Sequence, residues 1–537
     1  EILRSGIQLL STHEVDGVTV AAVFVPEGKL SLFLSRIEKY LTEETKSGAP
    51  RNQGLVDSVA DIQVAALEAF WTDTPESMPR AGESVWWEVW LRNRRSGEPL
   101  FATFESEAAR LGVQIGSGKI LFPDRTVLLA RANKEEISRS AELLNCIAEV
   151  RRAKENPQTF MEMGLLEQEE WVRDAQERTE PAPPDAPAVC LLDTGANRSH
   201  PLLQESLAAE DMHSYETTWG VGDDRGHGTE MAGLALYGDL TDVLSSSGPV
   251  SLSHCLESVK ILPPRGENDP RLYGDITAEC VARAEIGAPR RARAVCMAVT
   301  APDYRDRGRP SSWSAAIDKL TSGADDDFRR LMIVAAGNTD RSHRPNYPDS
   351  NHTDGVHDPG QSWNALTVGA YTEKRQVDEA QYPGWAPIAP PGGLSPSSCT
   401  SSIWKSSWPV KPDIVMEGGN MAVNPATGEA DYLDSLRLLT TNWQPMSRLL
   451  TVSGDTSAGT ALAARMSAQI MAAYPQYWPE TVRAIITHSA RWTEAMKTQC
   501  APLSSRGDKE RLVKFCGFGV PDMEAALWSL SNSLTLV

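Results

Sequence analysis

The chain is predicted to be an α/β protein: a doubly wound, mostly parallel sheet preceded by a separate α+β domain. Three observations carry that expectation. From Ala188 onward, short apolar runs that suit fully buried strands alternate with segments of helical spacing. Upstream of residue 153 the pattern differs, with strand-like and helix-like stretches of another rhythm. Between the two lies PAPPDAP at 181–187, whose prolines disfavour helix and sheet.

The expected domains are therefore 1–152, a helical segment and proline-rich linker at 153–187, and 188–537. In the first, TVAAVFV (19–25), SVADIQVAALEAF (58–70), SVWWEVWLRN (84–93) and RTVLLARA (125–132) read as strands. Helices are expected at 30–42, 104–111 and, as one long element, 134–152. A strand followed by a helix near both ends suits a ferredoxin-like or duplicated βαβ arrangement. Val85, Trp87, Val89 and Leu91 share one strand face and Trp86 and Trp90 the other, which reads as a strand covered on both sides or as a docking surface. In the last domain the strands are AVCLLD (188–193), SVKIL (258–262), ARAVCMAV (292–299) and LMIVAAG (331–337), with helices near 275–287, 312–322 and 458–473. Active groups then belong at strand ends and helix starts.

Composition narrows the function. With 52 Lys and Arg against 72 Asp and Glu, the net charge is −20 over 537 residues. That argues against nucleic acid as a partner, because phosphate binding needs clustered cations. No apolar run approaches the roughly 18–20 residues of a membrane span. The eight cysteines are scattered without a C-x-x-C and several sit in apolar runs. They read as buried free thiols, and they point to a reducing, cytoplasmic location.

The chemistry-bearing residues come in order. A serine hydroxyl is a weak nucleophile that needs a general base, an orienting carboxylate and fixed oxyanion donors. Asp193 ends an apolar strand. His227 lies between Gly226 and Gly228 in GHGTEMAG. Ser457 lies in SGDTSAGTALAARM, a turn leading into an Ala-rich helix, where free N–H groups and the helix dipole favour developing negative charge. Its own N–H is one oxyanion donor, and the side-chain amide of Asn338 in AAGN is the second. His200 reads as structural. His352, Asp354 and His357 in NHTDGVHD invite a metal reading, but their spacing matches no firm site and a solvated loop suits them better. LGVQIGSGKI (111–120) has the wrong glycine spacing for a phosphate loop, and the serine lacks G-x-S-x-G.

These segments resemble the subtilisin-like serine peptidases (subtilases). AVCLLDTGANRSHPLL (188–203) is similar to that family's Asp box, GHGTEMAG (226–233) to its His box and AAGN to its oxyanion box. ALTVGA (365–370) and KPDIVMEGG (411–419) are similar to the segments before its serine. The resemblance covers about 188–500. It implies an endopeptidase with Asp193, His227 and Ser457 as triad and Asn338 as oxyanion donor. An extended protein or peptide substrate would lie along Met297, Ala298, Val299 and Thr300. No cofactor is expected; calcium often binds proteins of this kind, but no ligand set carries over. The resemblance leaves open a regulatory N-terminal domain, a zymogen with 1–185 as propeptide, activation by a partner such as an ATPase, and a non-catalytic scaffold. Departures are also present: Asp455 stands where the family has Gly, Ala461 where it has Pro, and Glu230-Met231 where His-Val is frequent.

Overall fold

A computed structural model describes residues 8–15, 18–24, scattered positions between 39 and 82, 85–92, 100–121 and 125–152. It also describes 156–532 with breaks at 247, 303–305 and 380. The chain divides into two compact units, 1–155 with 245–248, and 156–244 with 249–537.

In the first unit, β1 (Gln8–Val15) and β2 (Val18–Phe24) form an antiparallel pair. A second, four-stranded antiparallel sheet contains β3 (Val85–Arg92), β4 (Gln114–Leu121), β5 (Arg125–Ala132) and β6 (Ile147–Arg152), in the order β4-β5-β3-β6. Helix α1 (Phe101–Leu111) joins β3 to β4. Phe104 and Ala108 of α1 pack with Trp87, Val89 and Leu91 of β3 in one core. The opposite face of β3 is also covered: Trp86 is buried, and the Arg151 guanidinium lies 4.7 Å over the Trp90 ring.

The long helix expected over 134–152 is corrected. The segment forms α2 (Lys134–Ser138), α3 (Ala141–Leu144) and then strand β6. Asn133 and Glu136 close a capping box at the start of α2, and the β-branched Ile147 and Val150 are fully buried in the sheet core. Tertiary packing of those two residues overrides the helical periodicity. The expected strand at 58–70 lies outside the described residues except for 67–70, a 3-10 turn; the helix at 30–42 lies almost wholly outside them.

The second unit begins with α4 (Pro157–Glu162) and α5 (Leu165–Arg178). Phe160, Val172 and Ala175 from these helices are buried in the same core as the strand residues Val189 and Leu191. The packing boundary thus falls at 155/156, upstream of the proline-rich segment.

The main sheet has eight strands. In chain order they are β7 (Ala188–Asp193), β8 (Leu207–Ser214), β9 (Cys255–Lys260), β10 (Arg293–Met297), β11 (Leu331–Ala335), β12 (Leu366–Thr372), β13 (Gly393–Leu394) and β14 (Ile414–Glu417). Their order is β13-β12-β11-β10-β7-β9-β8, with β14 also paired to β12. Only the β12–β13 pairing is antiparallel.

The continuous apolar runs follow from cover on both faces. All six residues of β7 are buried. Val189 and Leu191 point into one core, Cys190 and Leu192 into the other. The same alternation holds for Ala294 and Cys296 against Val295 and Met297, and for Leu331 and Ile333 against Met332 and Val334. One face is covered by α6 (His227–Tyr237) and α9 (Asp455–Ala473), the other by α7 (Tyr273–Gly287) and α8 (Ser312–Ser322). Truncating a buried leucine such as Leu192 to alanine typically costs about 2–5 kcal/mol.

None of the eight cysteines is joined in a disulfide, and seven are buried. Among the described residues no helix is long and apolar enough to cross a membrane.

Two histidines are buried in the second unit. His200 donates from Nε2 to the Leu449 carbonyl at 2.8 Å and accepts the Leu202 N–H on Nδ1 at 3.2 Å. His254 bonds the Ala235 carbonyl at 2.8 Å. Burial lowers both pKa values to about 4. Between pH 6.5 and about 4 the unfolded chain binds protons at these sites and the folded chain does not. Stability therefore falls as pH drops through that window, by about 3 kcal/mol per histidine. Denaturant unfolding at several pH values is expected to show this slope, and His200→Gln is expected to flatten it while lowering stability at pH 7.

Candidate active site

The site forms where β7, β10 and β11 end and where α6 and α9 begin. Asp193 is the last residue of β7 and is 2 % exposed. His227 is the first residue of α6. Its Nδ1 lies 2.7 Å from Asp193 Oδ1, which also accepts the Thr194 N–H at 2.8 Å. An imidazole donating from Nδ1 keeps Nε2 as the basic nitrogen.

Two glycines allow this approach. Gly226 has φ 94°, and a side chain at Gly228 would place its Cβ 1.9 Å from the Gly195 carbonyl oxygen. Asp223 then fixes the helix start. Its Oδ1 accepts from the Thr194 hydroxyl at 2.8 Å, the Arg225 N–H at 2.9 Å and the Gly226 N–H at 2.8 Å. Its Oδ2 accepts from the Thr229 N–H at 2.8 Å and the Thr229 hydroxyl at 2.7 Å. Sequence reasoning passed over Asp223; its signal was an acid four residues before a histidine at a helix start.

Ser457 is the third residue of α9 and is 6 % exposed. Its hydroxyl donates to the Ala298 carbonyl at 3.2 Å. In the first turn, the Asp455 N–H goes to Gly418, the Thr456 N–H to Asn338 Oδ1 and the Ala458 N–H to Gly454, which leaves the Ser457 N–H as the remaining donor. Asn338 follows β11. Its Oδ1 accepts both the N–H and the hydroxyl of Thr456, at 3.0 and 2.7 Å. That arrangement assigns the amide orientation, because only an oxygen can accept from a backbone N–H; Nδ2 is left as donor.

A hairpin of β15 (Leu438–Thr441) and β16 (Leu450–Ser453) ties α6 to the turn before α9. The Thr440 and Thr441 hydroxyls donate to the Glu230 and Thr229 carbonyls at 2.6 and 2.7 Å. The Glu230 carboxylate accepts the Ser453 hydroxyl at 2.8 Å, which gives that unusual His-box residue a partner.

The first residue of the expected substrate edge is Met297. It ends β10 with its side chain fully buried in the core that holds Leu192 and Val334, because strand alternation turns it inward. Ala298 is at the strand end, and Val299 and Thr300 are half-buried beyond it. The histidines of NHTDGVHD do not converge on one point. His352 stacks on Phe515 at 4.3 Å, Asp354 pairs with His343 at 3.1 Å, and His357 meets the Thr300 hydroxyl at 3.3 Å. Their loop is thus packed rather than solvated. Among the described residues, no group of three or more His, Cys, Asp and Glu is arranged to hold a metal ion.

The sequence profile of the subtilase family (Peptidase_S8) matches residues 185–519. The chain belongs to the subtilase family. It is 26% identical over 246 residues to the uncharacterized protein y4bN of Sinorhizobium fredii, covering 43% of this chain and 54% of that protein. The subtilase thus spans about half the length of that curated relative. Among solved structures it is similar to the epidermin leader peptide processing serine protease (EpiP) from Staphylococcus aureus, with a TM-score of 0.41 and 15% identity over 84% of this chain and 100% of that one. It is also similar to sphericase, with a TM-score of 0.39 and 19% identity over 58% of this chain and 84% of that one.

Burial lowers the pKa of His227, but the Asp193 charge and hydrogen bond, with Glu230 and Asp223 behind them, outweigh burial and raise it to about 9. A base must be neutral to accept a proton, so hydrolysis through His227 is expected to rise with pH along a limb lying above 6.5, toward about 9. In a kcat/KM profile, Asp193→Asn should move that limb to lower pH and reduce kcat on the order of 10⁴-fold.

Proposed function

We propose that this chain is a serine endopeptidase that hydrolyses peptide bonds through Asp193, His227 and Ser457. The observation that carries the reading is the 2.7 Å bond from His227 Nδ1 to a buried Asp193 carboxylate, at the same end of the sheet as Asn338 and as the Ala298 carbonyl that Ser457 bonds. Asp193 keeps the imidazole in the tautomer with a basic Nε2. Ser457 turns its hydroxyl from the Ala298 carbonyl to His227, loses its proton there and attacks the scissile carbonyl. The oxyanion is taken by Asn338 Nδ2 and the Ser457 N–H. His227 then protonates the leaving amine, and water repeats the cycle on the acyl-enzyme. The substrate backbone runs extended along Ala298, Val299 and Thr300.

Regulation is assigned to the first unit. Its β–α–β–β–αα–β order from β3 to β6, with sheet order β4-β5-β3-β6, supports a ferredoxin-like reading. Such a unit suits an inhibitory or partner-receiving role, the partner being a protein such as an ATPase. For a zymogen, the cut would fall upstream of Asn156, because α4 and α5 pack into the peptidase core.

A fluorophosphonate probe is expected to label the intact chain and not Ser457→Ala; equal labelling of both would remove Ser457 from the chemistry. Intact mass after incubation separates a zymogen from a persistently full-length enzyme. Asn338→Ala should lower kcat by about 10²–10³-fold with little change in KM, the range seen for such a donor in this same family.

A further inference from the structure

Asp455 stands two residues before Ser457, where the family has glycine, and its φ is 63°. Left-handed backbone is unfavourable for a residue with a side chain, although Asp tolerates it better than most. Something must hold it. Arg344, buried with a side chain 5 % exposed, grips the Asp455 carboxylate with both terminal nitrogens, each at 3.1 Å. The Tyr432 hydroxyl adds a donor to Asp455 Oδ2 at 3.2 Å and itself accepts from Arg344.

The third guanidinium nitrogen points elsewhere. Arg344 Nε donates to the Thr339 carbonyl at 3.0 Å, one residue after Asn338. Together with the two bonds from Thr456 to Asn338 Oδ1, this closes a ring. Starting at Asn338, it passes through the Thr339 carbonyl, Arg344 and Asp455, and returns from Thr456 to the Asn338 amide. Asn338 Nδ2 and the Ser457 N–H, the two oxyanion donors, both hang from this ring.

We infer that Arg344 and Asp455 are positioning residues of the oxyanion hole, a charged substitute for the flexible glycine of the family. This rests on the triad reading above. The planar fork of arginine sets the distance between the Thr339 and Asp455 segments, which a lysine cannot do. It also neutralises a carboxylate that would otherwise oppose negative charge forming two residues away. Neither residue touches the substrate; both act through Asn338 and the backbone of Ser457.

The test uses the full chain with a chromogenic peptide anilide, a peptide aldehyde that forms a tetrahedral adduct with serine, and a melting curve for each variant. Arg344→Met and Arg344→Lys are expected to lower kcat by about 10- to 100-fold with KM unchanged. Aldehyde inhibition should weaken by the same factor. Asp455→Gly introduced into Arg344→Met should restore most of the lost kcat, because it removes both the unpaired charge and the need to hold a positive φ. Unchanged kcat and aldehyde affinity in Arg344→Met overturn the inference, as does a kcat loss that glycine does not restore. If Arg344→Met fails to fold, Arg344→Lys and the double variant carry the same comparison. A wild-type chain inert to fluorophosphonate overturns the triad reading itself; a reactive wild type with unaltered Arg344 variants overturns only the ring.

Discussion

The bond between Asp193 and His227 is the constraint around which the second unit is arranged. It requires the start of a helix to sit against the end of a buried strand, at a spacing where ordinary side chains would collide. Gly228 removes the collision with the Gly195 carbonyl. The Asp223 carboxylate then replaces the hydrogen bonds that a helix start lacks, taking three donors on one oxygen and two on the other. Thr194 belongs to both networks, since its N–H goes to Asp193 and its hydroxyl to Asp223. The Asp193 carboxylate and the helix that carries His227 are therefore fixed by one continuous set of bonds.

The sheet supplies the frame for that bond. Because β7, β10 and β11 send alternate residues into two separate cores, their ends cannot shift without disturbing both. Helices α6 and α9 share one face, so His227 and Ser457 arrive from the same side. Small residues along α9, including Ala458, Ala461 and Ala464, are wholly buried and let it lie close to the sheet. The β15–β16 hairpin adds a polar link between α6 and the turn before α9 through Thr440, Thr441 and Ser453.

The departures from the family pattern at Glu230 and Asp455 share a physical character. Each introduces an acid near the site, and each acid has a partner: Ser453 for Glu230, Arg344 for Asp455. A half-buried carboxylate without such a partner would be left partly desolvated and unpaired. The partners also cross from one segment to another, so the acids act as ties between loops. At Asp455 the tie accompanies a backbone conformation that glycine reaches without help.

Much of this was legible in the sequence, for local reasons. Buried strands in a doubly wound sheet are continuous apolar runs, so AVCLLD, ARAVCMAV and LMIVAAG announced themselves. Glycines beside His227 and a small-residue helix after Ser457 marked places where backbone must approach closely. What the sequence could not settle depends on partners distant along the chain. The segment 134–152 has helical spacing, yet Ile147 and Val150 are drawn into a sheet whose other strands lie elsewhere in the sequence. Met297 stands in the segment expected to meet substrate, but strand alternation turns its side chain into the core. Helices α4 and α5 read as a linker's approach until their apolar faces found the core of the second unit. Arg344 carried no signal at all, since its meaning lies in Asp455, which is brought to it only by folding. Residue types and local spacing determined the chemistry this chain can attempt. The tertiary structure decided which groups hold that chemistry in place, because hydrogen bonds and ion pairs join atoms by distance in space, not by distance along the chain.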